Sequence, residues 1–318
     1  MFKVVLTDYE FETLEFEQRV LDESGLKINF VSAQCKSEDE VIEVAKDADA
    51  IINQYAPLSE RVLRSLTKCK VISRYGVGVD TIDLNIAKEL GIKVCNVPDY
   101  GIEEVSNHTL ALLMAWTRKV IELNNAVKNG IWNFNVGKPI YRFENRTFAI
   151  FGFGRIPRRV IEKIQPLGLT LIGYDPFVSA EEMAKYGVRK VELDEAIKLG
   201  DILSFHVPLV EQTMHLLNKE RLTQLKDGVF IINTARGPII ETEALIQGLK
   251  SKKIAGAALD VIEHEPIEAG HELLTFDNVY LTPHSAFYSE EAIEELRTKA
   301  TKNVVDVLAG QQPTYVVV

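Results

Sequence analysis

The segment Gly152-Phe153-Gly154-Arg155-Ile156-Pro157 has the glycine spacing of a loop whose backbone N–H groups can approach a pyrophosphate. It follows the apolar run Thr147-Phe148-Ala149-Ile150-Phe151 and opens a helical pattern, the context such a loop needs. Gly152 permits the tight turn and Gly154 the close approach, while Arg155 and Ile156 begin the helix whose positive end would face the phosphates. After the next predicted strand, Thr170–Tyr174, comes Asp175, near the roughly 20-residue offset at which an acid accepts hydrogen bonds from an adenosine ribose. Its charge repels a 2′-phosphate, so the expected cofactor is NAD rather than NADP. Taken singly, each signal has a plainer reading: a Gly-x-Gly is a common turn, and Asp175 before Pro176 is a turn residue. Pro157 stands where a third glycine is usual. Proline is tolerated in a first helical turn, but its ring predicts altered helix–strand packing and puts cofactor affinity at stake.

A second group lies further on, in Asn233-Thr234-Ala235-Arg236-Gly237, in Leu259-Asp260-Val261-Ile262-Glu263-His264-Glu265-Pro266 and in Thr282-Pro283-His284-Ser285. Each follows a predicted strand. In open α/β sheets ligands bind outside the carboxyl ends of strands, so the three segments are expected to converge. Moving the hydroxyl proton of a small 2-hydroxy acid needs an imidazole, a carboxylate to poise it and a guanidinium to hold the substrate. Arg236, Glu265 and His284 supply one of each. The other histidines, His108, His215, His264 and His271, are assigned to structure or solvent. His264 adjoins Glu265, and neighbours along an extended chain point apart. Trp116 is read as core or dimer packing, and Glu103 and Glu104 as acids suited to a helix N-terminus.

The elements that must position these residues alternate along the chain. Strands are expected at Lys3–Thr7, Lys27–Val31, Ala50–Asn53, Lys70–Arg74 and Lys93–Asn96, with helices near Glu10–Asp22, Glu38–Lys46, Ser59–Leu66 and Asp83–Leu90. One long helix is predicted from Ile102 to Asn129. Further strands are predicted at Thr170–Tyr174, Val188–Lys190, Ile202–Phe205, Val229–Ile232, Ile254–Ala258 and Val279–Leu281, and an amphipathic helix over Ser289–Leu308. Such alternation implies right-handed crossovers and parallel sheets, here two Rossmann-like α/β units, the second starting near residue 100.

The 318 residues are 46% hydrophobic and 26% charged, ordinary values for a chain with a core of its own. A net charge of −10 argues against a nucleic-acid or anionic-lipid partner, though not against an anionic small substrate gripped by a local arginine. Met1–Asp8 meets an acid too early for a secretory signal, and no apolar run approaches the roughly 20 residues of a membrane helix. Cys35, Cys69 and Cys95 have no metal-ligand spacing and are read as reduced thiols of a cytoplasmic protein that binds no metal.

Several ordered blocks carry a resemblance. Ser73-Arg74-Tyr75-Gly76-Val77-Gly78-Val79-Asp80, Cys95-Asn96-Val97-Pro98, the glycine loop with Asp175, His206-Val207-Pro208-Leu209, Thr234-Ala235-Arg236-Gly237, Ala258-Leu259-Asp260-Val261 with Glu265-Pro266, and Pro283-His284 together span residues 73 to 284. In them the chain resembles the D-isomer-specific 2-hydroxyacid dehydrogenases, a family that includes phosphoglycerate dehydrogenase and glyoxylate and hydroxypyruvate reductases. Asn96–Val105 and Pro283–Glu290 are most similar to the C-terminal-binding-protein group, with Phe287 where that group has tryptophan.

The resemblance implies a discontinuous, flavodoxin-like substrate domain, 1–99 plus 289–318, around an NAD-binding Rossmann domain, 100–288, and a homodimer formed through the latter. It implies substrate in the cleft between domains, with backbone N–H groups around Tyr75, Gly76, Val77 and Gly78, near Arg74, cradling its carboxylate and Phe287 lining the pocket. His284 is then acid/base with Glu265, and Arg236 binds substrate and polarises the C2 oxygen. Thr234, Ala235, Arg236, Asp260 and His284 face the nicotinamide end, and His206, Val207, Pro208 and Thr213 the adenine-to-ribose edge. A rival reading is an NAD(H)-responsive binding protein with little turnover, but such a sensor needs none of Arg236, Glu265 and His284. A methyl transferase on the same glycine loop would leave those three residues unexplained.

Overall fold

In the computed structural model, which describes all 318 residues, the short β-branched runs of the sequence become parallel strands. The chain divides into two units, Met1–Gly101 with Ser289–Val318, and Ile102–Tyr288.

The first unit holds strands β1 (Phe2–Leu6), β2 (Ile28–Ser32), β3 (Ala50–Asn53), β4 (Val71–Arg74) and β5 (Lys93–Cys95), in the order β2-β1-β3-β4-β5, every pairing parallel. Helices α1 (Glu15–Glu23), α2 (Glu38–Ala45), α3 (Glu60–Ser65) and α4 (Leu84–Glu89) connect them. Local chemistry sets the helix starts. Ser37 and Glu40 form a reciprocal capping box on α2, and the Asp83 carboxylate accepts the N–H groups of Asn85 and Ile86 at α4. β3 is buried along its whole length, as a central parallel strand covered on both faces must be. The tail helix, Glu290–Leu308, packs on α1 and over β3 and β4.

The tail helix is tied down by charge as well as by packing. Arg297 Nε donates to Glu17 Oε1 at 2.7 Å and Nη2 to Glu17 Oε2 at 2.6 Å, while the Tyr75 hydroxyl donates to Glu17 Oε1 at 2.7 Å. The guanidinium lies against the rings of Phe11 and Phe16, 4.5 and 4.6 Å from their centroids. Arg297 also donates to the Thr13 carbonyl, which holds residues 10–14 as loop. The first helix therefore starts at Glu15 rather than at the predicted Glu10.

The second unit begins with α5 (Ile102–Thr117) and α6 (Val120–Lys128). The predicted single helix is thus two. Its apolar spacing runs on, but Lys119 takes a left-handed conformation (φ 54°), with its ammonium 4.2 Å from the Trp116 ring centroid and 3.3 Å from Glu122. Then follow β6 (Thr147–Phe151), α7 (Arg155–Ile164), β7 (Thr170–Tyr174), α8 (Ala180–Ala184), β8 (Arg189–Lys190), α9 (Leu193–Leu199), β9 (Ile202–Phe205), α10 (Lys219–Leu222), β10 (Val229–Asn233), α11 (Thr242–Lys250), β11 (Ile254–Leu259) and β12 (Val279–Leu281). The predicted strand Val188–Lys190 shrinks to the two-residue edge pairing of β8, with Val188 turned into the core.

The strand order is β12-β11-β10-β9-β6-β7-β8, all parallel, so the chain reverses its direction of travel across the sheet at β6. Alternate side chains of β10 feed two separate cores: Val229 and Ile231 one face, Phe230 and Ile232 the other, where Phe230 stacks on Trp116 at 3.9 Å. No helix is long and apolar enough to cross a membrane, and all three cysteines are free thiols.

Removing one member of the buried Glu17–Arg297 pair leaves the other charge without its partner, at a cost of about 3–5 kcal/mol. Glu17→Ala is therefore expected to lower the urea midpoint strongly, and Glu17→Leu with Arg297→Met to recover much of it. An unchanged midpoint in Glu17→Ala would mean that the pair does not hold the tail helix.

Candidate active site

The switch point of the second sheet lies where β6 pairs with β7 on one side and β9 on the other. Gly152, just past β6, has φ +91°, and a Cβ there would come within 2.7 Å of the His206 carbonyl oxygen. Only glycine fits that turn. Gly154 is the N-cap of α7, and a Cβ built on it meets nothing within 4 Å. No side chain caps this helix and no acid stands in its first turn. The backbone N–H groups of Arg155 and Ile156 thus open the positive end of a ten-residue helix toward an exposed glycine, a cradle suited to a pyrophosphate. Pro157 is buried at the third helical position, where a residue has no intrahelical N–H bond to lose.

Phe153 locks the loop from below. Its ring is buried and meets Tyr186 edge-on at 5.5 Å, and its N–H donates to Asp175 Oδ2 at 2.8 Å. Asp175 Oδ1 accepts from Phe177 N at 2.8 Å, closing a turn. The turn reading and the ligand reading of Asp175 are therefore compatible: each oxygen is oriented by one backbone donor and keeps a further lone pair.

His206, at the end of β9, is half-buried, and its Nε2 lies 2.7 Å from the Ser204 hydroxyl. Burial pushes its pKa from 6.5 down to about 3, so the ring is neutral. Val207 is buried beside Gly152, and Pro208 is exposed. The Thr213 hydroxyl donates to the Pro208 carbonyl at 2.6 Å and accepts from Val210 N at 2.9 Å, bracing this loop.

The loop after β10 is folded by buried Asn233, whose Oδ1 accepts from Ala235 N at 3.1 Å and whose Nδ2 donates to the Arg236 carbonyl at 2.9 Å. Thr234 Oγ1 lies 3.1 Å from Thr109 Oγ1 on α5, and Arg236 Nη1 donates to the Ala235 carbonyl at 2.7 Å. After β11, Asp260 is 2% exposed. Its Oδ1 accepts from Thr282 Oγ1 at 2.6 Å and Ser285 N at 2.9 Å, and its Oδ2 from Ala286 N at 3.0 Å. Its own carbonyl accepts from His284 N at 2.8 Å. His108, read as structural, supports the same cluster, with Nε2 3.0 Å from Thr282 Oγ1.

Between these anchors His284 adopts φ 51°, a left-handed conformation uncommon outside glycine. Its Nδ1 lies 2.8 Å from Glu265 Oε2, while Glu265 Oε1 accepts from Ile262 N at 3.2 Å. Burial pushes the Glu265 pKa up, but the hydrogen bonds from His284 and Ile262 and the charges of His284 and Arg236 outweigh it and leave it below the ordinary value. With Glu265 a carboxylate, it is His284 Nδ1 that donates across this contact, and Nε2 stands outside the pair. Phe287 stands edge-on to the imidazole, 6.5 Å between ring centroids. His264 is exposed and takes no part in the pair.

The first unit places Arg74 at the end of β4, its Nε 3.3 Å from the Gln54 carbonyl and its guanidinium 5.9 Å from the Tyr55 ring centroid. Tyr75, expected to offer its N–H to substrate, gives it instead to the Asn53 carbonyl at 2.8 Å, and its side chain is buried on Glu17. Gly76 follows with φ +123°, and a Cβ there would strike the Arg74 guanidinium.

Residues 110–286 match the family model described as D-isomer specific 2-hydroxyacid dehydrogenase, NAD binding domain. Over its full length the chain is 35% identical to a D-3-phosphoglycerate dehydrogenase of Methanocaldococcus jannaschii, of which it covers 59%. It therefore spans little more than half the length of such longer relatives. A hydroxypyruvate reductase of Blautia hydrogenotrophica is 31% identical over 96% of this chain and 97% of its own. Among solved structures, the D-lactate dehydrogenase of Aquifex aeolicus complexed with NAD and lactic acid is similar at TM-score 0.88 and 30% identity, covering 99% of this chain and 98% of that one.

The neutral His206 has a measurable consequence. Between pH 6.5 and about 3 the unfolded chain binds a proton there that the folded chain does not, so its contribution to stability falls as the pH is lowered through that window. The slope from this one group is at most about 1.4 kcal/mol per pH unit. His206→Asn is expected to flatten the fall of the thermal midpoint between about pH 7 and 5. A slope identical to that of the unaltered protein would show that His206 protonates freely in the folded chain.

Proposed function

The chain belongs to the D-isomer specific 2-hydroxyacid dehydrogenase family, and from that membership we propose that it transfers hydride between NAD and C2 of a small D-2-hydroxy or 2-oxo acid. The observation that carries this reading is the 2.8 Å His284–Glu265 pair, borne on the same sheet edge as the open glycine loop.

Bound nicotinamide supplies the hydride in one direction and accepts it in the other; the rest falls to the chain. In reduction His284 Nε2 gives its proton to the C2 oxygen, and in oxidation it takes that proton back. The imidazole gains or loses one positive charge in the process, and Glu265 stabilises the charged state and fixes the ring. The Arg236 guanidinium binds the substrate carboxylate and polarises the C2 oxygen. In the first unit we assign the amides of Gly76, Val77 and Gly78, with Arg74, to substrate binding, and in the second we assign Phe287 to the substrate side chain. Tyr75 leaves this set, because both its N–H and its hydroxyl are engaged elsewhere.

We assign the amides of the Gly152–Ile156 loop to the cofactor pyrophosphate and Asp175 to the adenosine ribose, with His206–Pro208 and Thr213 forming the adjoining edge. Thr234 and Ala235 fall to the nicotinamide end. Asp260 serves there by holding the His284 loop, since both its oxygens are committed to that loop.

A homodimer through the cofactor unit is part of the same proposal. Trp132 is 89% exposed, Phe134 74% and Tyr141 62%, and Val120, Val127 and Ile131 on and after α6 are open as well. An apolar surface of this kind on one stretch of chain favours a protein partner, and a second copy of the chain accounts for it without a further component. Three reduced thiols fit a cytoplasmic setting.

Steady-state assays with NADH against glyoxylate, hydroxypyruvate, pyruvate and a branched 2-oxo acid test the activity. His284→Ala is expected to lose at least about 100-fold in kcat with NADH binding intact, and Arg236→Ala to damage both KM and kcat. Wild-type turnover in either variant would remove that residue from the mechanism, and no turnover of any substrate by the unaltered protein would remove the activity. NADPH should bind more weakly than NADH, a preference that Asp175→Ala is expected to erode. Trp132→Asp with Phe134→Asp is expected to shift the mass measured by light scattering from dimer to monomer. A monomeric unaltered protein would end the dimer proposal.

A further inference from the structure

Arg236 and Glu265 come from loops that leave different strands, and each loop needs a brace that neither catalytic side chain supplies. The Glu263 carboxylate stands where those loops meet. Its Oε1 lies 2.6 Å from His215 Nε2, and its Oε2 accepts from Thr242 N, the first residue of α11, at 2.8 Å. The backbone beside it is pressed against the arginine loop: a Cβ on Gly237 would lie 1.7 Å from the Ile262 carbonyl oxygen and 2.6 Å from Glu263 N. Gly237 follows Arg236 directly, and the N–H of Ile262 is the one that holds Glu265 Oε1. His215 belongs to a third segment that runs beside the arginine loop. Its N–H donates to the Pro238 carbonyl at 2.8 Å, Leu217 N to the Ile239 carbonyl at 3.1 Å, and Glu241 N to the Leu217 carbonyl at 2.9 Å. His215 holds φ 49° to make that approach.

We propose that Glu263 is a positioning residue for the hydride-transfer reaction, fixing the Arg236 loop and the Glu265 loop in one register through Thr242 and His215. The proposal rests on the functional reading above. Glu263 touches neither substrate nor cofactor and works through the two loops it joins. Its carboxylate stays charged in that position. Burial pushes its pKa up, but the hydrogen bonds from Thr242 and His215 prevail and leave it below the ordinary value. A charged acceptor at the first residue of α11 also faces the positive end of that helix.

The test is the kinetics of Glu263→Ala and Glu263→Gln beside the unaltered protein, with NADH affinity by fluorescence and thermal unfolding measured on the same samples. A displacement of about 1 Å at reacting groups costs on the order of 100-fold. Glu263→Ala is expected to lose about 10- to 100-fold in kcat/KM for the 2-oxo acid, with kcat and KM both affected because both loops move. NADH affinity should fall less than kcat/KM, since the glycine loop is untouched and only the nicotinamide end, at Thr234 and Ala235, lies on a loop that moves. Glu263→Gln keeps an oxygen for Thr242 N and is expected to recover most of the loss, a graded rescue that a merely stabilising residue would not give in a protein already folded at the assay temperature. If Glu263→Ala does not fold, His215→Ala, which leaves the Thr242 bond in place, carries the same comparison with a smaller expected loss.

Wild-type kcat/KM in a folded Glu263→Ala or His215→Ala overturns the proposal while leaving the functional reading intact. So does a loss that Glu263→Gln shares in full. Absence of turnover in the unaltered protein overturns both together.

Discussion

Three times in this chain an aspartate just past the end of a parallel strand reaches sideways and takes backbone N–H groups from the loop of the neighbouring strand. Asp8, after β1, accepts from Gln54 and Ala56 at 3.1 Å each, and from Tyr55 between them, in the loop leaving β3. Asp175, after β7, accepts from Phe153 in the loop leaving β6. Asp260, after β11, accepts from Ser285 and Ala286 in the loop leaving β12. The pairs β1–β3, β7–β6 and β11–β12 are all direct neighbours. A parallel sheet leaves its loops at the carboxyl edge with backbone donors that no further ladder satisfies, and a short carboxylate there removes the deficit by charge-assisted bonds. The same bonds set where the loop can go. The glycine loop, the histidine loop and the strand-end loop of the first unit are each held by one such acid.

The Asp260 case shows what the constraint achieves. A left-handed conformation at a residue other than glycine costs about 1–3 kcal/mol and persists only where its surroundings over-determine it. At His284 the surroundings are a buried carboxylate that binds the two following amides and the Thr282 hydroxyl, and a carbonyl that binds His284 N itself. Hydrogen bonds to a charged group contribute about 1.5–3 kcal/mol each, enough to offset the strain. The imidazole is thereby turned toward Glu265 before any ligand arrives. That ordering is the pre-organisation a proton-transferring group needs.

What the sequence made legible was what short-range chemistry dictates. The strands Ala50–Asn53, Thr147–Phe151, Thr170–Tyr174, Ile202–Phe205 and Val279–Leu281 have the limits their apolar runs predict, because buried parallel strands are continuous apolar segments. The glycine loop with Asp175 was readable for a similar reason: turn, strand and helix fix their spacing together. The break at Lys119 was not, since apolar periodicity carries on across it and the ring that stabilises it, Trp116, was read only as packing. For Tyr75 the family resemblance implies a donor to substrate, and nothing in the local sequence corrects that. Asn53 and Glu17, which claim its N–H and hydroxyl, are remote in sequence. Asp260 and Glu263 share that difficulty. Their types are ordinary, and their roles exist only through partners on other strands.

Two carboxylate–cation pairs of the chain, Glu17–Arg297 and Glu265–His284, contrast in how far they are open to water. Glu17 and Arg297 are 0% and 4% exposed at their side chains, and Glu265 and His284 are 37% and 32%. In the buried pair, removing either charge leaves the other without its partner at a cost of several kcal/mol, and the pair serves to fasten the tail helix. An acid/base residue must instead pass between neutral and charged states with little difference in free energy, in both directions of a reversible reaction. At the half-exposed site water screens the pair and the coupling is correspondingly small. The Glu265 carboxylate there orients the ring through a single contact at Nδ1. Burial also separates the two strand-end histidines: it drives the pKa of His206 down to about 3, so that ring is neutral near pH 7.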